Sequence, residues 1–280
     1  MNHWLEPGGT FVSLLIGLYA VPVLVGLAVL FGGRKFYWNI ATAFMLLAFA
    51  ANLALIGLMW DAAGRPPFKS RYETFILYPA CLAPVALALL FLHRLRVVLP
   101  PAGAVCVLFM ILAKALPDLE TELLPPALQS GWFVPHVVAY FIAYAAIIVT
   151  AVLAAIALIQ GPGIGERKSA DDAPQRDAIP FETATYKTAV FGFVMLSAGL
   201  AMGAFWAKAA WGDYWTWDAK ENWALISWFC SLIYLHVRAH PRWSGRPALW
   251  ICLLCAGVVI FCWLGVNYLP AAQSSLHVYQ

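Results

Sequence analysis

The chain has 280 residues, 63% of them hydrophobic and only 11% charged, and its mean hydropathy is +0.78. Such a composition cannot clothe a single soluble globule in polar surface, so the chain reads as an integral membrane protein, an all-α polytopic helical bundle. A formal charge of +3, spread along the sequence, is too small and too dispersed to argue for nucleic acid as a partner.

A spanning helix needs about 20 mainly apolar residues. Eight stretches qualify, at 10–31, 37–59, 74–93, 97–115, 135–160, 184–207, 222–238 and 248–268. The first contains Pro22, which predicts a kink of the sort membrane helices tolerate. Before it, Met1 to Glu6 lacks both the basic run and the small-residue cleavage site of a signal peptide, so a short outer tail is expected. The fourth stretch is the weakest because it carries Pro100, Pro101 and Lys114.

Basic residues collect in cytoplasmic loops. Ten fall after the odd-numbered spans: Arg34, Lys35, Arg94, Arg96, Arg167, Lys168, Arg176, Arg238, Arg242 and Arg246. Six fall on the opposite face: Arg65, Lys69, Arg71, Lys114, Lys208 and Lys220. The split predicts both termini on the outer, periplasmic side. Residues 161–183, glycine-rich and then charged, read as a cytoplasmic loop and the best candidate boundary.

The outer loop between the second and third spans departs from the charge rule. Arg65, Lys69 and Arg71 either hold an anionic ligand or pair with Glu73 and neighbouring acids; the sequence leaves both open. The cysteines Cys81, Cys106, Cys230, Cys252, Cys255 and Cys262 all lie in apolar runs, where a thiol acts as a small hydrophobe. Cys252-Leu-Leu-Cys255 has redox-motif spacing but sits mid-span with no following His, which argues against haem attachment or thioredoxin chemistry.

The most unusual stretch is Trp211-Gly-Asp-Tyr-Trp-Thr-Trp-Asp-Ala-Lys-Glu-Asn-Trp223, with four Trp and one Tyr in thirteen residues. Indoles favour the boundary of hydrocarbon and water, but one or two would anchor two helix ends. The surplus points to a flat apolar ligand, such as a porphyrin, laid on an aromatic shelf. Asp218 and Glu221 have the spacing of a capping box, which predicts a helix starting at Ala219. On the same side, Pro135 marks the first turn of the fifth span and sets His136 at its outer mouth. Tyr140 and Tyr144 follow on one face. The sixth span is threaded with Gly192, Ser197, Ala198, Gly199, Gly203 and Ala204, residues that let helices approach closely. His236 lies within the seventh span near its inner end, and an ionisable group there is a site candidate. His277 returns to the outer surface after the last span. Three imidazoles and an indole shelf suit haem, since two imidazoles on opposite faces hold iron six-coordinate. His3, His93 and His240 read as interfacial and solvated.

Trp211 through Trp228 resembles the tryptophan-rich WWD signature of the cytochrome c assembly family, closest to the CcsA or ResC branch of the two-subunit System II synthase. Gly64-Arg-Pro-Pro through Tyr72-Glu-Thr, Ala127-Leu-Gln-Ser-Gly-Trp with Pro135-His136, and Leu276-His277 with Tyr279 also match, over roughly residues 60 to 280. The resemblance implies N-terminal transmembrane helices over 1–60 and a haem-handling domain over 61–280. It implies haem b as cargo, ligated at an outer site by His136 and His277 and packed by Trp211, Gly212, Tyr214, Trp215, Trp217, Asp218, Glu221 and Trp223. His236 would ligate a second, inner haem with a histidine from a ResB/CcsB-type membrane subunit. The implied work is a synthase reaction in the cytoplasmic membrane, in which haem is carried outward and attached to an apocytochrome c, its thiols kept reduced by a thioredoxin-like factor. The alternatives are a haem exporter or chaperone without ligase activity, as in the System I relatives CcmC and CcmF, a solute transporter with an ordinary aromatic belt, and a redox cytochrome b.

Overall fold

The computed structural model describes residues 9–30, 36–116, 125–160 and 178–270. These residues are helical in the main, and the chain divides into two compact units, residues 1–129 and 130–280. The first contains α1 (Thr10–Leu30), α2 (Phe36–Ala63), α3 (Arg71–His93) and α4 (Leu99–Ala115); the second contains α5 (Phe133–Gln160), α6 (Ala178–Trp211), α7 (Ala219–Ala239) and α8 (Arg246–Ile260).

All eight expected helices form. Among the described residues, seven are long and apolar enough to cross a membrane, and the chain is a multi-pass membrane protein. The seventh helix, α7, is the exception: its 21 residues would cover about 30 Å at 1.5 Å per residue, yet Asn222, Ser227, Ser231, His236 and its charged ends dilute its apolar character.

In the first unit α3 is the buried centre, packed by α2 and α4, while α1 packs on α2 and α4. Ser70 caps α3 and Glu73 reaches back to complete the box. Pro100 and Pro101 do not weaken the fourth helix. They occupy its first turn, where a missing N–H costs nothing, after a short 3-10 turn at Arg96–Val98. Lys114, at the far end, donates to Ser13 Oγ of α1 at 2.8 Å. Within the bundle the fully buried Asn52 donates to the Tyr19 hydroxyl at 3.3 Å, so one amide hydrogen is satisfied inside the apolar interior.

In the second unit α5 packs along α6 and against α8, and α7 lies on α8 and α6. α5 and α6 run antiparallel, His136 facing Gly203, Tyr140 facing Gly199 and Ala146 facing Gly192. Trp228 Nε1 donates to Ser197 Oγ at 2.8 Å and ties α7 to α6. Cys230 and Cys255 bring their Sγ atoms to 3.1 Å between α7 and α8. Past Ile260 the helix widens into a π turn over Phe261–Gly265, then a 3-10 turn over Val266–Tyr268. Such turns re-aim side chains: Phe261 meets the Trp223 ring at 4.3 Å, Trp263 meets Phe141 at 4.9 Å, and Tyr144 donates to Cys262 Sγ at 3.7 Å. α6 begins at Ala178, six residues before the expected 184, and continues to Trp211, which is therefore the last residue of a helix. The remainder of the expected cytoplasmic loop, 161–177, lies outside the described residues.

Candidate functional site

The end of the second unit where α5 and α7 begin and α6 finishes carries the tryptophan-rich stretch. The chain leaves α6 through Gly212, at φ +93°, a backbone region that suits glycine. Lys208, in the last turn of α6, donates to the Gly212 carbonyl and lies 5.5 Å from the centre of the Tyr214 ring. The expected capping box is present. Glu221 N donates to Asp218 Oδ1 at 2.8 Å, and Glu221 Oε2 accepts from Thr216 N at 2.7 Å, Thr216 Oγ1 at 3.2 Å and Asp218 N at 3.3 Å. One carboxylate oxygen thus gathers the whole turn before α7. Burial lowers the pKa of the neighbouring Lys220 ammonium, partly offset by the Asp218 carboxylate.

The rings fall into rows. Trp206, an α6 residue that sequence reading did not single out, lies 5.4 Å from the His136 ring and 5.0 Å from Trp211. Beside it, Phe205 stacks on Trp132 at 5.2 Å and meets Tyr214 edge-on at 6.1 Å. Trp215 and Trp217 form a T-shaped pair at 5.9 Å, and Trp223 turns to Phe261 in the π turn that follows α8. Trp217 is 68% and Tyr214 54% exposed, so large apolar faces remain uncovered at this end. Two buried polar atoms here find no partner among the described residues: Trp215 Nε1 and Glu221 Oε1.

His136 occupies the first turn of α5, half-buried against α6. Its Nδ1 lies 2.9 Å from the Gly199 carbonyl oxygen. A carbonyl only accepts, so Nδ1 bears the hydrogen and the lone pair belongs to Nε2. Metal-bound histidines are generally oriented by such a bond from their other nitrogen. Tyr140 braces the ring edge-on at 4.8 Å, and Tyr144 continues the column at 5.5 Å.

His236 stands apart, about 27 Å along α7 from Asp218 at 1.5 Å per residue. It is exposed, with Nδ1 3.0 Å from the Leu232 carbonyl one turn back, which again assigns the lone pair to Nε2. His277 lies outside the described residues. Among those described, no group of three or more His, Cys, Asp or Glu could hold a metal ion. In the first unit Arg65 pairs with Glu73 at 2.9 Å, the two side chains only 14% and 9% exposed. Of the two readings of that loop, pairing is the one the structure displays for Arg65. His240 is exposed, as expected, with its ring 5.2 Å from Trp243.

Fold and site define a multi-pass helical membrane protein that gathers an oriented imidazole and a field of indoles at one end of a four-helix unit. Residues 37–272 match the family described as "Cytochrome C assembly protein", to which the chain belongs, in its CcsA type. It is 32% identical to the "Cytochrome c biogenesis protein CcsA" of Synechococcus sp. (strain RCC307), covering 91% of this chain and 96% of that one. Proteins of the same name from Prochlorococcus marinus (strain MIT 9215) and Guillardia theta are 33% and 30% identical, covering 92% and 96% of this chain and 92% and 94% of theirs.

Proposed function

We propose that the chain, which as a member of the cytochrome c assembly family serves cytochrome c biogenesis, carries haem b across the cytoplasmic membrane and presents it on the outer side for thioether attachment. The observation that supports this most is the His136 imidazole, oriented by its Nδ1–H donating to the Gly199 carbonyl at 2.9 Å and set among Trp206, Trp211 and Tyr140.

His136 and His277 are the proposed outer ligands. The rings of Trp211, Tyr214, Trp215, Trp217 and Trp223 supply the apolar surface for the macrocycle, Gly212 the turn that presents them, and Asp218 with Glu221 the fixed geometry of that turn. Trp215 Nε1, a buried donor without a partner among the described residues, suits a propionate oxygen. Two imidazoles close the iron to oxygen while the cargo waits. The reaction is addition of the two Cys-X-X-Cys-His thiols of apocytochrome c across the haem vinyl groups. The nucleophiles belong to the substrate, and this chain contributes position and ligation. The apocytochrome's own histidine displaces one outer ligand.

The exposed His236 is the proposed ligand of an inner haem, shared with a ResB/CcsB-type subunit. A thioredoxin-like factor would keep the substrate thiols reduced. On this reading 61–280 is the haem-handling portion, and the tryptophan-rich stretch and both termini face the periplasm.

The test is optical. The chain is purified with its partner subunit as wild type, His136→Ala and His277→Ala, and spectra are recorded with and without imidazole. Each variant is expected to lose the six-coordinate low-spin signature of the outer haem and regain it with imidazole. A variant that kept a normal six-coordinate outer haem would overturn the assignment. Co-expression with the partner and an apocytochrome separates synthase from exporter, because only a synthase yields covalent product.

A further inference from the structure

From the contact between α5 and α6 we infer that Gly203 is the positioning residue of the outer site: by having no side chain it uncovers the Gly199 carbonyl and so fixes the tautomer and tilt of His136. This rests on the reading of His136 as an iron ligand.

A helical Cβ leans toward the N-terminus and lies over the preceding turn. A side chain at 203 would therefore cover the carbonyl at 199. A Cβ built at Gly203 would meet His136 Cε1 at 2.7 Å and Nδ1 at 2.8 Å, closer than atoms can approach. The imidazole fills the space that residue 203 leaves open, and its Nδ1–H reaches Gly199 O at 2.9 Å through it. Gly199 does the same for the next turn, where a Cβ would meet Tyr140 Cδ2 at 2.6 Å. That lets Tyr140 lie flush with α6 and lean on the imidazole at 4.8 Å. Trp206 closes the other side at 5.4 Å. The Gly199 carbonyl, Tyr140 and Trp206 thus act together on the ring, and that carbonyl is reachable because residue 203 is glycine. With an alanine there, the imidazole swings off the carbonyl, and both its direction and the assignment of its lone pair to Nε2 are lost.

The experiment titrates haem-free full-length chain in detergent with haemin, in a His236→Ala background so that only the outer site reports. Gly203→Ala is compared with His136→Ala and with Gly192→Ala, which adds a methyl to the same helix seam against Ala146 rather than His136. Gly203→Ala is expected to weaken haemin binding about 10- to 100-fold, the usual effect of losing a partner that orients a metal-bound histidine. Millimolar imidazole should restore the low-spin spectrum, and Gly192→Ala should bind as the parent does. Wild-type binding by Gly203→Ala alongside weakened His136→Ala would overturn the inference and leave the ligand reading standing. Equal loss in Gly192→Ala, or no rescue by imidazole, would mark a general packing effect and also overturn it. Unchanged binding by His136→Ala would remove the ligand reading itself.

Discussion

Asn222 holds Trp217 in a left-handed backbone conformation: the Trp217 φ is +60°, and Asn222 Nδ2 donates to the Trp217 carbonyl at 2.9 Å. A bulky residue there costs about 1–2 kcal/mol, and it persists only where surrounding bonds over-determine it. The result is an indole thrust outward, 68% exposed, one residue before the cap of α7. On the proposed reading, that outward indole is part of the surface offered to haem.

Asn222→Ala removes the clamp. It is expected to lower stability by about 1 kcal/mol, the net value of one hydrogen bond, and to let the Trp217 backbone relax. The tryptophan emission of the haem-free protein should shift and haem retention should fall. Adding Trp217→Gly should restore the lost stability, since glycine accepts that φ, but not haem retention, since the ring is gone. Thermal unfolding and bound-haem absorbance of the single and double variants provide the check.

Glu221 carries a second expectation. One of its oxygens gathers three donors from residues 216 and 218. Glu221→Ala releases all three and is expected to cost about 1–2 kcal/mol, the range of a lost helix cap. Glu221→Gln keeps an accepting oxygen and loses only the favourable charge at a helix N-terminus, about 0.3–1 kcal/mol. The order of melting temperatures should therefore run wild type, Gln, Ala. An alanine variant as stable as the glutamine one would show that the turn does not depend on the carboxylate.

How much of this was legible beforehand follows from how local each signal is. The capping box needs two residues three apart, so Asp218 and Glu221 announced the start of α7 without any tertiary knowledge. Long apolar runs announced the helices for the same reason. His136 at a helix mouth was legible from Pro135. The seat of that histidine was not. Gly199 and Gly203 were visible as small residues, but which side chains they admit depends on the register of α6 against α5, more than sixty residues earlier in the chain. The π turn after Ile260 leaves no mark in hydropathy, so the contacts of Phe261, Cys262 and Trp263 were hidden. Pro100 and Pro101 looked like defects because helix-breaking and helix-starting prolines differ only by where the helix begins.

The buried-side pairing in the first unit gives a third expectation. Glu73 binds Arg65 through Oε1, while its Oε2 accepts from the backbone of Lys69 and Ser70 at 2.7 and 2.9 Å. Removing the acid strands a half-sunken guanidinium and two backbone donors; removing the base strands only one end of a carboxylate that keeps its backbone partners. Glu73→Ala should thus destabilise more than Arg65→Ala, by about 2–3 kcal/mol against about 1, below the full buried-pair value because both groups retain some water contact. Equal losses in thermal unfolding would mean that the helix cap contributes nothing beyond the ion pair.

The packing of α7 on α8 gives a fourth. The sequence draws the eye to Cys252 and Cys255, one turn apart on α8, but the thiol that faces Cys255 is Cys230 of α7, with 3.1 Å between the sulfurs. Mild oxidation by a copper–phenanthroline complex should join 230 to 255, two thiols giving up two protons and two electrons to the oxidant. With a protease site placed in the 240–245 turn, the cleaved halves should remain together on a non-reducing gel and separate when reduced. Cys255→Ser should abolish the link and Cys252→Ser should leave it. The converse pattern would place α7 one turn away along α8, and would displace Trp223 from Phe261 and the indole loop with it, since both contacts depend on the same register.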